Sequence, residues 1–375
     1  MEIHDLAFGG DGVGRIENMV CFVPYTAPGD IVSVEIRERK KKFLRAGLTE
    51  IITPSPYRNE PRCPLFGSCG GCQWQHIQYK EQLRAKQEHL KQILKKNAGI
   101  DFPVEEIYPS PGTYHYRRSG RMQITETGDL GFFARASRQI VPVQSCPVFE
   151  DTLNARLPVI REDLKARTPR PSELELVSQD GSETEFAFLF SEEHSKLGFI
   201  QANAAVNLRL QNFIRTWIAD FSRREDLVLD LFCGDGNLTL HLSDLDVRVL
   251  GYDISQAAVK RAVSKAAAGG LSNFTYKHAP VQNSKKELLD LKGKVKALIC
   301  DPPRQGLFDM AALIASIQAP LLIYVSCFPA ILARDLQALI SSGYTLRTVQ
   351  PMDMFPQTYH LETAAVLTLQ KGGPV

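Results

Sequence analysis

Long apolar stretches are missing from this sequence. No run of apolar residues comes close to the ~18 that are needed to cross a bilayer. Met1 is followed by Glu2 and Asp5 instead of a basic segment and an apolar core, so the pattern of a secretory signal is also missing. Neither an internal repeat nor a low-complexity tract is visible. These absences argue against membrane, secreted and fibrous proteins, and we expect a cytoplasmic protein that binds no membrane.

An excess of one sign of charge is missing as well. The 44 Lys and Arg residues nearly balance the 42 Asp and Glu residues, which leaves a net charge of +2. A surface that binds a polyanion must therefore be a local patch. The composition, 44% hydrophobic and 23% charged, is typical of a globular protein. A length of 375 residues predicts two or three domains.

The sequence pattern changes twice along the chain, which predicts three domains. Residues 1–56 alternate short apolar stretches with glycine-containing turns, as in a small β-barrel, and end in a proline-rich linker. Residues 57–198 mix strand-like and helical segments, which predicts a mixed α+β central domain. Residues 199–375 alternate strands with helices, which predicts a doubly wound, mostly parallel sheet. The expected fold class is α/β.

Two segments combine basic and aromatic residues. Residues 37–45 contain six Lys or Arg residues and Phe43, which suits either a solvated hairpin tip or a loop that contacts phosphates. Residues 114–118 interleave Tyr and His with Arg117 and Arg118. This second segment is either an ordinary exposed strand or a surface that faces RNA.

A glycine-rich turn follows the apolar strand that ends near Phe232. In a doubly wound sheet, ligands bind at the carboxyl ends of strands, so this turn is the expected cofactor site. The next strand ends at Asp253, where a carboxylate can accept hydrogen bonds from ribose hydroxyls. The third glycine of the dinucleotide fingerprint is missing, and Asp235 would repel a pyrophosphate. The turn therefore favours S-adenosylmethionine over a dinucleotide.

A cysteine ends another apolar strand of the same predicted sheet. Cys327 is followed by a helix that begins near Pro329, and the amides and dipole at a helix N-terminus favour a thiolate. Asp301 ends a neighbouring strand, where it could hold a base or the cofactor or cap the next turn. Glu362 lies at the start of the last apolar strand. It is a catalytic candidate only because Cys327 is one.

Four further cysteines stand in polar segments flanked by glycine and proline: Cys63, Cys69, Cys72 and Cys146. In a reducing cytosol such a group indicates metal ligands. Zinc accepts four thiolates, but it is commonly held by paired Cys-x-x-Cys motifs. Three clustered thiolates and a distant fourth favour a [4Fe-4S] cluster, in which we expect a structural role.

The motifs occur in a specific order along the chain. They are Cys63-x5-Cys69-Gly-Gly-Cys72 with Cys146-Pro147, Phe199-x-Gln201-x-Asn203, Asp230-Leu-Phe-Cys-Gly, Asp301-Pro-Pro-Arg304, Val325-Ser-Cys327 and His360-Leu-Glu362-Thr. Together they resemble the RNA 5-methyluridine methyltransferase family, in the branch with an N-terminal TRAM domain and an iron-sulfur cluster. The resemblance runs essentially from end to end and is closest to the 23S rRNA (uracil-5-)-methyltransferases.

The resemblance implies a fold, a cofactor and a set of roles. Residues 1–56 would form a TRAM-like OB-type barrel and 57–198 a cluster-bearing domain, both binding RNA, and 199–375 a Rossmann-like class I methyltransferase domain. The cofactor S-adenosyl-L-methionine would be bound by Gln201, Phe232, Asp253 and Asp301. Cys327 would be the nucleophile and Glu362 the base. Ribosomal RNA is the favoured substrate and transfer RNA the second, and we expect a monomer.

Three positions depart from the family pattern. Phe328 stands where an Asn usually follows the nucleophilic cysteine, Gln357 where His is common, and the stretch that ends at Pro280 lacks the Asn expected beside the adenine. These departures concern contacts to the target base and the adenine, and they leave Cys327 and Glu362 in place.

Three other functions are compatible with part of these motifs. Radical enzymes that cleave S-adenosylmethionine use Cys-x3-Cys-x2-Cys, whereas the first spacing here is five residues. Methyltransferases of exocyclic amines carry an aromatic residue after Asp-Pro-Pro, where this chain has Arg304, and they need no thiolate. The third rival is a non-catalytic iron-sulfur protein that binds RNA.

Overall fold

The structure is a computed structural model that describes residues 1–179, 183–190, 196–307 and 310–369. Within these ranges the chain forms seventeen strands in three sheets and seven α-helices. No helix in the described part is long and apolar enough to cross a membrane. The chain divides into two compact units, and the segments of the units alternate along the sequence. The domain boundaries expected near residues 56 and 198 therefore stay predictions.

The first unit comprises residues 1–89, 110–204 and 354–360. Its first sheet contains β1 (Ile3–Leu6), β2 (Gly12–Ile16), β3 (Met19–Val23), β4 (Ile31–Arg39) and β5 (Phe43–Thr53), in the order β1-β2-β3-β5-β4. An antiparallel bridge from Glu2 to Ile31 brings the two outer strands together and closes a small barrel. Buried apolar side chains, among them Ile3, Cys21 and Leu44, fill it. The expected barrel is confirmed.

The second sheet of this unit is antiparallel throughout. It contains β6 (Ser119–Ile124), β7 (Leu130–Phe133), β8 (Ile140–Pro142), β9 (Glu173–Gln179) and β10 (Glu183–Leu189), in the order β10-β9-β6-β7-β8. Helix α2 (Asp151–Lys165) packs its buried leucines on the sheet and closes a core with Phe149. Helix α1 (Tyr79–Ala98) begins in this unit.

The second unit comprises residues 90–109, 205–353 and the chain from 361 onward. Its sheet contains β11 (Leu227–Leu231), β12 (Arg248–Asp253), β13 (Phe274–His278), β14 (Val295–Cys300), β15 (Leu321–Ser326), β16 (Tyr344–Met352) and β17 (Glu362–Leu369). The order is β13-β12-β11-β14-β15-β17-β16. Among these described strands, β17 runs in the direction opposite to the other six. The expected α/β fold is confirmed, because the sheet is mostly parallel and helices separate its strands.

The helices of this unit are α3 (Ala204–Phe221), α4 (Gln256–Ala268), α5 (Lys285–Asp290), α6 (Ala311–Ile317) and α7 (Pro329–Ser341). The central strands are almost entirely buried, as expected for a sheet that is covered on both faces. The strand order changes direction at β11, whose neighbours are β12 and β14. Such a point leaves a crevice at the carboxyl ends of the strands, where ligands bind.

Candidate functional site

The turn after β11 has the conformation of a ligand-binding loop. Phe232 adopts a φ of 67°, which costs a residue with a β-carbon free energy, and Gly234 adopts a φ of 54°. The loop is held to the next strand, because the amides of Phe232 and Cys233 both donate to the carbonyl of Tyr252, at 2.9 and 3.0 Å. These two hydrogen bonds hold Phe232 in its strained conformation at the predicted cofactor site.

Asp253 lies at the end of β12, directly beside this loop. Its carboxylate accepts hydrogen bonds from the amide of Gly234 at 2.9 Å and from the amide of Ser255 at 2.7 Å. Asp235, which the sequence suggested would repel a phosphate, forms an ion pair with Lys265 at 2.5 Å. The structure therefore places Asp253 where the sequence predicted it, with its carboxylate oriented by two amides.

Asp230, on β11, is a functional candidate that the sequence analysis did not single out. Its side chain is buried, and Oδ2 accepts a hydrogen bond from Thr239 at 2.8 Å. Oδ1 is buried and has no hydrogen-bond partner among the described residues. Burial raises the pKa of Asp230 to about 8. The hydrogen bond from Thr239 lowers this pKa, whereas the charges of Asp301 and Asp253 raise it. A ligand with a donor group at Oδ1 would satisfy this oxygen.

Cys327 and Glu362 are brought together by the antiparallel pairing of β15 with β17. The last pair in the register is Ser326 with Thr363. Cys327 and Glu362 are the next positions on these two neighbouring strands. Glu362 is only 4% exposed, and Cys327 is half-buried. The charge of Glu362 raises the pKa of Cys327. The sheet therefore joins two residues that are far apart in sequence.

The thiol of Cys327 is not stabilised as a thiolate at rest. Burial raises its pKa to about 11, the charges of Glu362 and Asp301 act in the same direction, and Arg304 opposes them. Helix α7 does begin two residues later, as predicted. The expectation of a lowered pKa is nevertheless wrong, because desolvation of the sulfur and the neighbouring carboxylates outweigh the helix N-terminus.

The carboxyls in this site are also perturbed. Burial and the charge of Asp301 raise the pKa of Glu362 well above its ordinary value, and Arg304 lowers it. Burial raises the pKa of Asp301 as well. Such shifts in a group of titratable side chains at strand ends are typical of active sites. Arg304 had no assigned role, although its position three residues after a strand-end carboxylate could have indicated one.

The remaining positions of the motifs have mainly structural contacts. Gln201 is buried in the first unit, and its carbonyl accepts a hydrogen bond from Nε of Arg118 at 2.9 Å. Phe328 precedes α7 and donates its amide to Oγ of Ser326 at 3.2 Å. The role of Gln201 in binding the cofactor stays a prediction.

The departure at position 357 has a local explanation within the first unit. The amide of Gln357 donates to Oε1 of Gln82, and Nε2 of Gln82 donates to Oε1 of Gln357, both at 3.0 Å. The carbonyl of Gln357 accepts the amides of Gln73 and Trp74. The glutamine therefore serves to hold its loop.

The four predicted ligand cysteines lie in one neighbourhood of the first unit. Burial raises the pKa of Cys72 to about 12, and the charges of Cys146, Cys69 and Cys63 add to the effect. Burial also raises the pKa values of Cys69 and Cys146. Among the described side chains, no group of three or more His, Cys, Asp or Glu residues is arranged to hold a metal ion. The thiols are thus close enough to affect one another's pKa values, but the described side chains are not arranged as a metal site.

The two basic segments are partly used inside the fold. At the tip between β4 and β5, Lys40 and Arg45 lie 2.7 and 3.6 Å from Glu38, and Arg39 lies 3.6 Å from Glu17. Nε of Arg117 donates to the carbonyl of Ser119 at 2.9 Å. The Arg117 and Arg118 side chains therefore stabilise their own unit through backbone carbonyls.

Comparisons with known proteins agree with these features. The family model described as tRNA (Uracil-5-)-methyltransferase matches residues 182–370, and the TRAM domain model matches residues 2–49. An uncharacterized RNA methyltransferase of Bdellovibrio bacteriovorus is 34% identical, with 98% of this chain and 94% of that protein covered. The 23S rRNA (uracil(1939)-C(5))-methyltransferase of Shewanella sp. strain MR-4 is 31% identical, with 98% and 95% covered.

A solved structure shares the fold over the whole chain. It is the tRNA (uracil-54, C5)-methyltransferase of Pyrococcus abyssi in complex with S-adenosyl-L-homocysteine. The TM-score is 0.75 and the sequence identity 24%, and the match covers 98% of this chain and 100% of that one. At this identity the similarity concerns the fold.

Proposed function

Because the chain belongs to the RNA uracil-C5 methyltransferase family, we propose that it transfers a methyl group from S-adenosylmethionine to C5 of a uridine in 23S ribosomal RNA. The observation that carries this proposal is the pairing of β15 with β17, which sets Cys327 beside Glu362. Relatives named for 23S rRNA match almost the entire chain, which favours ribosomal RNA. Transfer RNA is the second candidate, because the structural neighbour acts on it.

The reaction needs a nucleophile because C5 of uracil is a poor one. Addition of the Cys327 thiolate to C6 moves the electrons of the C5–C6 double bond toward the C4 carbonyl, and the resulting enolate makes C5 nucleophilic. Only the ionised sulfur adds, so the rate depends on the small thiolate fraction left by a pKa of about 11. Arg304 increases that fraction, because its charge lowers the pKa.

The adduct must lose a proton before the RNA is released. Once C5 has taken the methyl group, which bound S-adenosylmethionine supplies, it still carries its hydrogen. The carboxylate of Glu362 removes this proton, the C5–C6 double bond forms again, and the thiolate of Cys327 leaves. The burial of Glu362 raises its affinity for the proton, which suits a base in this step.

The strand ends of the second unit fit the cofactor. The carboxylate of Asp253, which is held by two amides, would accept hydrogen bonds from ribose hydroxyls, and the free Oδ1 of Asp230 would suit a donor such as an ammonium group. Phe232 and Asp301 lie at the same edge of the sheet. We assign these four residues and Gln201 to the cofactor site. Because C5 and C6 lie inside a base stack, the target uridine must be extruded or unpaired when it binds.

We also propose that Cys63, Cys69, Cys72 and Cys146 hold a [4Fe-4S] cluster. The neighbourhood of the thiols supports this assignment, because the charges of Cys146, Cys69 and Cys63 all raise the pKa of Cys72. Glycines at 70 and 71 leave room for the chain beside Cys69. The cluster would tie two distant segments together, since uracil methylation requires no electron. Iron and sulfide analysis of anaerobically purified protein tests the assignment, and stoichiometric zinc would contradict it.

Two measurements test the proposed activity. Transfer of labelled methyl groups to 23S ribosomal RNA and to transfer RNA, followed by mapping of 5-methyluridine, identifies the substrate. RNA that contains 5-fluorouridine should trap the full chain covalently, because fluorine at C5 cannot leave as a proton does. RNA binding with neither methylation nor trapping would contradict the proposal and favour the non-catalytic alternative. Sedimentation of the free protein tests the expected monomer.

A further inference from the structure

An open groove lies in the first unit, and all of its described lining residues belong to that unit. It has a cavity volume of about 720 Å³. Its walls come from a barrel loop at Gly9, the cysteine segment at Gly70, the turn between β7 and β8, and Tyr359. None of the described residues that line it is Asp or Glu, although the protein as a whole is nearly neutral. The described lining of the groove therefore carries arginines and no carboxylate.

Two aromatic rings face this groove. Phe133, the last residue of β7, is 41% exposed, while its neighbour Phe132 packs inward against Phe149 with ring centroids 5.8 Å apart. Tyr359 is half-buried, and its ring makes an edge contact with Phe8 at 5.4 Å. An exposed ring such as that of Phe133 is a platform on which unpaired bases stack, and the ring of Tyr359 is supported by His360, with centroids 4.3 Å apart.

The turn between β7 and β8 holds its shape by local hydrogen bonds. The amide of Ala134 donates to the carbonyl of Gln139 at 2.8 Å, and the amide of Gln139 donates to Oγ of Ser137 at 3.0 Å. Ala136 adopts a φ of 51°, which a residue with a β-carbon adopts at a cost. The cysteine segment is attached here, because the amide of Gly70 donates to the carbonyl of Phe133 at 2.9 Å.

The two arginines of this turn differ in their contacts. Arg135 forms an ion pair with Asp11 at 2.6 Å and lies over the ring of Tyr25 at 5.7 Å. Arg138 is exposed, and no described residue pairs with its guanidinium. Arg135 thus anchors the turn on the barrel, and Arg138 keeps its charge available for an anion in the groove.

We propose that this groove binds single-stranded RNA that flanks the target uridine. Bases stack on Phe133 and Tyr359, and Arg138 contacts a phosphate between them. This inference rests on the proposed function for the identity of the substrate, and it adds a recognition site that the sequence motifs did not indicate. Stacking and phosphate contacts tolerate many sequences, so the groove supplies affinity and strand position, not the choice of base.

Binding of RNA to the full chain tests the proposal. The probes are a single-stranded oligouridylate and an RNA duplex of the same length, in the presence of S-adenosylhomocysteine. We expect F133A to weaken binding of the single strand at least about fivefold, the lower end for loss of a stacked base. R138A should lower affinity at low salt and reduce the salt dependence by about one phosphate contact. Duplex binding should change much less with F133A.

Matched control variants separate the groove from the rest of the surface. Tyr57 is 46% exposed and Lys91 is exposed, and neither lines the groove, so Y57A and K91A should bind the oligouridylate as the wild type does. Circular dichroism and thermal melting must show that F133A and R138A are folded. Equal affinities of folded F133A, R138A and wild type would overturn the proposal.

Photo-cross-linking gives a second, independent readout. An oligouridylate with 4-thiouridine should cross-link to peptides that contain Phe133 or Tyr359. Cross-links confined to residues 37–45 would overturn the proposal and assign the strand to the barrel hairpin. If wild-type protein methylates RNA while the groove variants bind and cross-link normally, the groove assignment falls and the proposed function stands. If wild-type protein binds in the groove but methylates no RNA, the proposed function falls instead.

Discussion

The strand-end site and the groove differ in almost every physical property. The site around Cys327 is buried and rich in carboxyls, and the pKa values of its groups are strongly raised. The groove beside Phe133 is open, and its described lining contains arginines but no carboxylate. The first arrangement changes the reactivity of groups by removing them from water. The second leaves rings and charge accessible, which suits binding.

The contrast teaches that chemistry and recognition can be tested separately in this protein. A change at the strand ends should stop the reaction and leave affinity for RNA intact. A change in the groove should weaken affinity and leave the chemical step intact at saturating RNA. A variant that changes affinity and chemistry together would break this separation.

The largest effect is expected for C327A. It should abolish methyl transfer and the covalent adduct with 5-fluorouridine RNA, because the sulfur proposed to add to C6 is removed, while oligouridylate binding stays unchanged. Measurement of methylation, trapping and binding on one preparation checks this. C300A is the control, since Cys300 is fully buried in β14 and should not be needed. Substantial methylation by C327A would refute the nucleophilic role.

The next effect is expected for E362Q. Turnover should fall by about 10²-fold or more, which is typical for loss of a general base, while the adduct with ordinary RNA forms and accumulates. Gel analysis of the protein–RNA adduct over time checks this. E287Q, which changes an exposed ion pair with Lys277, is the control. A folded E362Q variant that neither turns over nor traps RNA would indicate a structural role for Glu362.

A smaller effect is expected for R304M. The pKa of Cys327 is raised, so the thiolate fraction and the rate of adduct formation should increase with pH up to about 11 in the wild type. Loss of Arg304 raises this pKa further, so at a given pH the rate should fall, about tenfold if the pKa rises by one. The whole pH profile should move to higher pH, and R304K should retain most of the wild-type rate. An unchanged profile in R304M would exclude this role.

The smallest effect on activity is expected for D30N, in the barrel. Burial favours the neutral acid, but hydrogen bonds from Arg58 and from the amides of Ala27 and Ser55 outweigh it and hold the pKa of Asp30 below its ordinary value. The ionised group therefore stabilises the fold above its unfolded pKa, and this stability is lost as pH falls through the folded pKa.

D30N should lower the free energy of unfolding by about 2 kcal/mol at pH 7, because a buried ion pair loses one partner. The difference from wild type should shrink in acid. Chemical denaturation at several pH values checks this. A pH-independent difference would contradict the electrostatic account, and loss of methylation by the folded variant would break the separation between the two regions.

Much of the second unit could be predicted from local patterns. The alternation of strands and helices expected for residues 199–375 is present, and strand β14 is the mostly apolar, buried run that a covered parallel sheet requires. Strands β13 and β16 lack such a run. β13 is a sheet edge with alternating burial, and β16 contains a proline, so neither has the composition of a central strand.

The candidate site was predictable where function requires a particular residue type. Cys327, Asp253 and Glu362 were indicated by motifs, and the structure places each at a strand end. The ionisation of Cys327 was mispredicted, because desolvation depends on the packing of distant segments. Asp230 and Arg304 were missed as interacting groups for the same reason.

The sequence by itself determined the α/β class, the family and the residue types to which we assign the reaction, because apolar periodicity and reactive side chains can be recognised locally along the chain. Only the tertiary structure decided that the pairing of β15 with β17 brings Glu362 next to Cys327, and that burial raises the pKa of the thiol. It also decided that Phe133, Arg138 and Tyr359 line one groove. Strand register, desolvation and concave surfaces depend on contacts between segments that are far apart in sequence, and a local sequence pattern does not contain this information.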